Sequence, residues 1–409
     1  MALFKIFLIL VIILICFSAV QAEKYSGGTG ELNNPYRIAT PNDLNDIGNH
    51  IEDFNKCFVM VNDINLADYT GTQFNIIGDF GTPFTGVFDG NNHTIADFTY
   101  SLAFSAPFIA LFGYVDGPEA QIKNLSLAEP NIYTGKGSEV AALIGYLGNG
   151  KVTGCSVLRG IVKGYDQVGG IVGTNSDGII DECHADVDIR ADGYTVGCLI
   201  GGNRGKVKDC SSSGSIIPWS SWAAGTVGGL IGENENVVSA SFSDVTVFGD
   251  YSVGGLIGDN AGRVSDCYAK GSASGEERIG GLVGESSGGS IENCYAAGVV
   301  GGNSETGGLV GGHSGGSYTS CFWDSDVNPD VNGIGNTSDP NVIAKMTEEM
   351  QTESTFTDAG WDFVEVWDIG ENQTYPFLRV HPAGDINYDD KVNFFDLAIL
   401  CEHWLEGTE

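Results

Sequence analysis

The chain has 409 residues, with 53 Asp and Glu against 19 Lys and Arg, for a formal charge of -34. A surface of that sign repels nucleic acid and anionic lipid, which excludes nucleic-acid binding as the main role. Its 60 Gly and 11 Pro lack the every-third-residue period of collagen and come with 42% apolar residues, so the chain can bury a core.

In chain order, Lys5 is followed by an apolar run from Ile6 to Phe17 and then by Ser-Ala-Val-Gln-Ala ending at Ala22. This pattern predicts a cleaved signal peptide over 1–22 and an exported, extracellular or cell-surface product. No other stretch approaches the roughly 20 apolar residues of a membrane helix, so no span is expected in the mature chain. Residues 23–85 read as an N-terminal cap. Within them 41–54 form a short amphipathic helix, with Asp43 as its N-cap and Leu44, Ile47 and Ile51 on its apolar side.

A repeat organises residues 86–325. A short apolar block ending in Gly recurs from Leu111-Phe112-Gly113 through Leu143-Ile144-Gly145, Ile171-Val172-Gly173 and Leu256-Ile257-Gly258 to Leu309-Val310-Gly311. After each block comes a second apolar column (Ile122, Val152, Ile180, Val207, Val238, Val264, Ile291, Tyr318). Three residues later stands a third (Leu125, Cys155, Cys183, Cys210, Ser241, Cys267, Cys294, Cys321). Extended backwards, Val87-Phe88-Asp89 reads as the first block, with Ile95 and Phe98 in the other columns. One such unit cannot bury its own apolar face, so the units must stack as coils around a continuous core. The expected fold is all-β, a parallel solenoid of about nine coils, in the right-handed sense that parallel crossovers favour. Asn175, Asn203, Asn234 and Asn260, giving way to Ser286 and His313, form a fourth column read as a structural amide ladder. Phe242, Tyr268, Tyr295 and Phe322 follow the third column and read as an outward stack. The cysteine column reads as buried thiols, because stacked neighbours about 4.8 Å apart with parallel Cβ vectors are poorly placed for bridges.

After residue 325 the cadence stops. Residues 326–381 read as a C-terminal α+β cap, with a helix around Ile343 to Met350 and strand material at Trp361, Phe363, Trp367, Tyr375 and Phe377. In the last segment, 382–409, Asp385, Asn387, Asp389, Lys391, Asn393 and Asp396 occupy positions 1, 3, 5, 7, 9 and 12 of an EF-hand-like loop. Lys391 would contribute its backbone carbonyl. This alternation supplies the hard oxygens that one Ca2+ ion requires.

Gly-Gly-Leu-Val-Gly at 280–284 with Ile291-Glu292-Asn293-Cys294-Tyr295-Ala296 resembles the repeats of bacterial GLUG-motif proteins. Asn34-Pro35-Tyr36-Arg37-Ile38 and Thr357-Asp358-Ala359-Gly360-Trp361 resemble their flanking segments. The resemblance implies an exported or surface-associated protein without an assigned activity. Some members of that family sit within IgA-cleaving metallopeptidases, but this chain has no His-Glu-x-x-His. The segment Gly384 to Leu397 resembles half of a type I dockerin, which implies a calcium-dependent module that docks on a cohesin-like or surface-anchoring partner. It departs from that pattern by having one loop rather than two, Tyr388 and Asp390 in place of glycines, and Phe394 and Phe395 at recognition positions.

Two readings of function remain beside binding or attachment: a polysaccharide lyase or glycoside hydrolase, and a structural envelope component. Basic residues are scattered over different repeat positions, and no Ser-His-Asp set, phosphate loop or zinc spacing is detectable, so no catalytic residue is assigned. The insertion carrying Trp219 and Trp222 offers two aromatic side chains on a loop. Its two readings are a glycan-binding site, because sugar rings stack on indoles, and an aromatic flap over a coil edge.

Overall fold

The computed structural model describes residues 24–219 and 225–379. The expected signal peptide, the calcium loop with its six ligands, and Trp222 lie outside the described residues.

The columns are real layers. Ile144 pairs in parallel with Phe112 and Val172, and the same register runs through Ile200, Ile231, Ile257, Val283 and Val310. A bridge from Phe112 back to Ile77 and a pairing of Val310 with Ile334 bring this ladder to ten layers, so the solenoid has about ten turns where nine were expected. The second column is a parallel ladder from Ile122 to Tyr318 with no break in register. A third ladder carries long strands, among them Ser156–Gly164, His184–Ala191, Ser211–Ile217 and Phe242–Phe248. A fourth holds shorter ones such as Asp166–Val168, Thr195–Gly197 and Thr226–Gly228. Leu256, Leu282 and Leu309 are fully buried in one continuous core.

Two local devices explain the spacing. Each coil turns between its second and third columns through one left-handed residue, including Asn124 (φ 51°), Asp209 (φ 50°), Asp266 (φ 55°) and Asn293 (φ 51°). The side chain that follows closes the corner: Cys210 Sγ donates to Lys208 O at 3.0 Å, Cys294 Sγ to Glu292 O at 3.0 Å, and Ser241 Oγ to Ser239 O at 2.7 Å. The left-handed residue is common to every coil and sets the three-residue step, and the bond reinforces it where the column residue is Cys or Ser. The block glycines have a different cause. A Cβ on Gly201 would sit 2.6 Å from the carbonyl carbon of Gln167, because the fourth ladder lies directly against the block there.

The described cysteines are all free thiols, and the column is buried. Burial pushes the thiols of Cys210, Cys294 and Cys321 up, and that of Cys198, inside the core, to about 12. The amide ladder is complete: Nδ2 of Asn175, Asn203 and Asn234 each donate 2.8 Å to Oδ1 of the next asparagine.

Three expectations need correction. Val87-Phe88-Asp89 is not a block: Phe88 pairs with Ile122, in the second column, and Ile95 with Leu127. The block of that coil is Ile76-Ile77-Gly78. The turn after it is longer, held by Asp79 Oδ1 accepting from Gly81 N and Thr82 N, and this displaces the pattern. Asp43 is not the N-cap of the first helix. The helix is Pro41–Ile47, Thr40 caps it, and Asp43 stands at N3 of a capping box, its Oδ2 accepting from Thr40 N at 3.0 Å. Ile343 is not helical: Val342–Lys345 is a strand paired with Cys321–Asp324, and the helix is Thr347–Met350.

The parallel ladders also run beyond 86–325. Tyr36–Ile38 pairs with Cys57–Met60, which pairs with the strand beginning at Val87. At the other end, after Lys345, the chain crosses the outward side of the last coils. Met350, Phe356, Trp361 and Trp367 pack there with Tyr268, Tyr295 and Phe322 in a second apolar cluster. The aromatic stack is therefore outward from the coil yet buried: Phe242 and Tyr268 stack at 4.8 Å and 4°, and Tyr268 and Tyr295 at 5.1 Å and 9°.

Candidate ligand-binding face

The third ladder carries long parallel strands, with one register shift between Leu158 and Gly160. Alternate residues face outward, and one outward row reads Tyr133, Lys163, Arg190, Ile217 and Phe248 across successive coils. The row borders the corner that leads to the fourth ladder, where Tyr165, Tyr194 and Tyr251 add further rings. Tyr194 is 71% exposed, Tyr251 51% and Phe248 43%. Each of these five coils thus contributes at least one aromatic or aliphatic side chain to a stripe along the axis. Beside it runs a hydroxyl row: Ser215 Oγ donates 2.6 Å to Asp188 Oδ1 and Ser213 Oγ 3.3 Å to Asp186 Oδ1.

Trp219 belongs to this face. Its backbone N donates to Asp192 Oδ1 at 3.0 Å, and its half-buried ring lies 5.8 Å from that of Tyr133 at 51°. Tyr133 is three register steps from Ile217, so Trp219 reaches back along the axis, past the coils of Arg190 and Lys163, to pack on Tyr133. Lys163 Nζ sits 5.8 Å over the Tyr133 ring, a cation–π arrangement. The half-buried Trp219 ring thus lies over the outward row beside Tyr133. Tyr133, Tyr165 and Tyr194 were not singled out from sequence, because they lie near turns of varying length where no constant spacing marks a column.

A second row lies on the block ladder, where the residue between the block glycine and the ladder asparagine is Glu233, Asp259 and Glu285 in three successive coils. Arg278 Nη1 donates to Glu285 Oε2, and Ser287 Oγ donates to Asp259 Oδ1 at 2.7 Å. Burial raises the Glu233 carboxyl, and the charges of Glu235 and Asp259 add to the rise. Burial also raises Asp259, opposed by the Ser287 bond and aided by Glu285. Among the described residues no group of His, Cys, Asp and Glu has a metal-holding arrangement.

The folded protein holds these protons more tightly than the unfolded chain, whose reference values are 4.5 for Glu and 3.8 for Asp. The row's contribution to stability is therefore full below those values and is lost as pH rises through the raised ones. Glu233→Gln with Asp259→Asn is expected to raise the melting temperature at pH 7, by a gain on the order of 2 °C. Scanning calorimetry should show that gain shrinking toward about pH 3.5, below both reference values.

Residues 164–190, 249–274 and 275–301 match the GLUG motif. Three coils of this solenoid are GLUG repeats. Two of them contribute Lys163's neighbours and Tyr251 to the stripe, and they flank coils of the same register that the motif does not cover. A relative from Evansella cellulosilytica, called a "Putative Gly-rich membrane protein", is 34% identical over 126 residues, 29% of this chain and 14% of that protein. The chain thus matches about one-seventh of that relative's length. Among the described residues of this chain no helix is long and apolar enough to cross a membrane. A crystal structure of a "putative immunoglobulin A1 protease" from Bacteroides ovatus superposes with a TM-score of 0.52 at 20% identity, covering 87% of this chain and 95% of that one. That likeness shows a shared fold.

Proposed function

We propose that this protein is an exported, non-catalytic binding protein that holds a polysaccharide along the aromatic corner of its GLUG-repeat solenoid. The observation that carries this reading is the row of rings from Tyr133 to Tyr251 beside serine and aspartate side chains on the outward face. Aromatic faces stack on sugar rings, hydroxyls and carboxylates bond sugar hydroxyls, and a stacked scaffold needs little ordering on binding. The loop Asp385, Asn387, Asp389, Lys391, Asn393, Asp396 serves attachment through one Ca2+ ion and a cohesin-like or surface-anchoring partner, which the donor spacing supports.

The test is retention on a panel of neutral and anionic polysaccharides, with calcium and with chelator. Tyr133→Ala plus Trp219→Ala should weaken retention at least tenfold, the loss of two stacked rings at about 1 kcal/mol each or more. Chelator should abolish calcium uptake measured by calorimetry and leave glycan retention unchanged, as should Asp385→Ala. A double ring variant that binds as wild type would remove this face from the reading.

A second reading, a polysaccharide-active enzyme, is favoured by the row Glu233, Asp259, Glu285 beside Arg278. In-register strands are about 4.8 Å apart, so neighbouring carboxylates fall in the range that glycoside hydrolysis uses. Release of reducing ends by the wild-type protein, lost in Asp259→Asn, would establish it over the binding reading.

A further inference from the structure

We infer that the polysaccharide recognised by the aromatic corner carries anionic groups, uronate carboxylates or sulfate esters, and that Lys163, Arg190 and Lys136 receive them. This rests on the glycan-binding reading and adds the chemical class of the ligand.

The argument starts from scarcity. The chain has 19 basic residues against 53 acidic ones, so neighbouring cations that share one outward row without a carboxylate partner stand out. Most described Lys and Arg side chains are paired: Lys56 with Glu31, Arg159 with Glu129, Arg204 with Glu235, Arg263 with Glu292, Arg278 with Glu285. Lys163 and Arg190 are register neighbours on the outward row, and neither has a carboxylate within ion-pair distance among the described residues. Among the described residues Arg190 Nε is buried and makes no hydrogen bond. Lys136, at the same corner one coil earlier, sits 5.7 Å over the Tyr165 ring and likewise lacks an acidic partner.

Acids do stand nearby, and they are otherwise engaged. Asp166 Oδ1 accepts from Tyr194 N and Thr195 N, Asp192 Oδ1 from Trp219 N, and Asp188 from Ser215. These carboxylates bind donors of the next coil and stitch the corner together. Lys163 and Arg190 stay on the outward row beside the paired rings of Tyr133 and Trp219. The net charge of the molecule opposes an anionic ligand at long range, but at physiological ionic strength that field is screened beyond about 8 Å. Contacts to Lys163 and Arg190 act within that distance. A guanidinium offers a planar fork that suits carboxylate and sulfate alike.

The probes are dextran, dextran sulfate and polygalacturonate, with a wider panel of neutral polysaccharides, bound to the full chain in affinity electrophoresis. The sulfate and uronate arms distinguish the two sources of charge. Wild-type protein should be retarded by at least one anionic polymer ten times more strongly than by any neutral one, and raising NaCl from about 0.05 M to about 1 M should erase most of the difference, as screening requires. Lys163→Gln with Arg190→Gln should remove the preference, while Lys206→Gln, on the second ladder, should keep it. Should the double variant fail to fold, the salt titration of wild type still decides. Binding to neutral polymers with no anionic preference would overturn this inference and leave the glycan-binding reading intact. No retention on any polymer would overturn both.

Discussion

Replacing Tyr295 by Ala is expected to free the segment after residue 345 from the side of the solenoid and to cost about 4 kcal/mol of unfolding free energy. Tyr295 is fully buried and lies where the two parts meet. Its ring stacks on Tyr268 at 5.1 Å from the solenoid side and on Tyr375 at 6.1 Å from the trailing side, with Trp361 and Trp367 within 6.4 Å. Its hydroxyl donates to Pro376 O at 2.6 Å. Truncation opens a cavity bounded by aromatic rings that cannot collapse together, because Tyr268 and Phe322 are fixed by the ladder. Denaturant titration gives the cost, and limited proteolysis gives its location: new cuts should fall between 346 and 379 while the coils resist. Tyr295→Phe keeps the ring and loses one bond, so about 1 kcal/mol is expected. An Ala variant as protease-resistant as wild type would show that the segment is held by Trp361 Nε1 on Ser320 O and Tyr375 Oη on Asp324 rather than by this stack.

The same residue shows what could be read from sequence and what could not. Tyr295 was legible as a member of an outward stack, because Phe242, Tyr268, Tyr295 and Phe322 recur at one offset from the cysteine column. That the stack is buried was not legible, since the covering residues lie at Met350 to Trp367, outside the repeat and with no period of their own. The ladders were legible for a physical reason: stacking gives every coil the same environment at the same offset, so Val152, Ile180 and Val207 answer one constraint. The columns were not legible where a turn changed length. The insertion after Gly78 shifted the offset and made Val87-Phe88-Asp89 resemble a block. The turns after Thr134, Gly164 and Ala191 hid the tyrosines of the corner. The carboxylate row is a different kind of miss. Glu233, Asp259 and Glu285 stand at a constant place, between block glycine and ladder position, and a scan of that offset would have found them.

Asn203→Leu is expected to destabilise the solenoid by about 3 kcal/mol even though the new side chain fills nearly the same space. Asn203 is 1% exposed and makes three bonds: it accepts from Asn175 Nδ2 at 2.8 Å and donates to Asn234 Oδ1 at 2.8 Å and to Gly205 O at 3.0 Å. Leucine satisfies none of these groups. Asn175 Nδ2 keeps its bond to Gly178 O at 3.2 Å, so part of the cost is spared on that side. Asn203→Asp separates hydrogen bonding from shape: a carboxylate still accepts from Asn175 but cannot donate, so its penalty should grow as pH rises and the acid ionises. Position along the axis supplies the control. Ser286 follows Asn260 in the same column, where its hydroxyl donates to Gly315 O at 2.9 Å, and the next position is His313 rather than an amide. Ser286→Ala should therefore cost about 1 kcal/mol, one ordinary bond. If the column were four separate turn bonds rather than one chain of amides, Asn203→Leu would cost no more than Ser286→Ala, and chemical denaturation of the two variants decides between these outcomes.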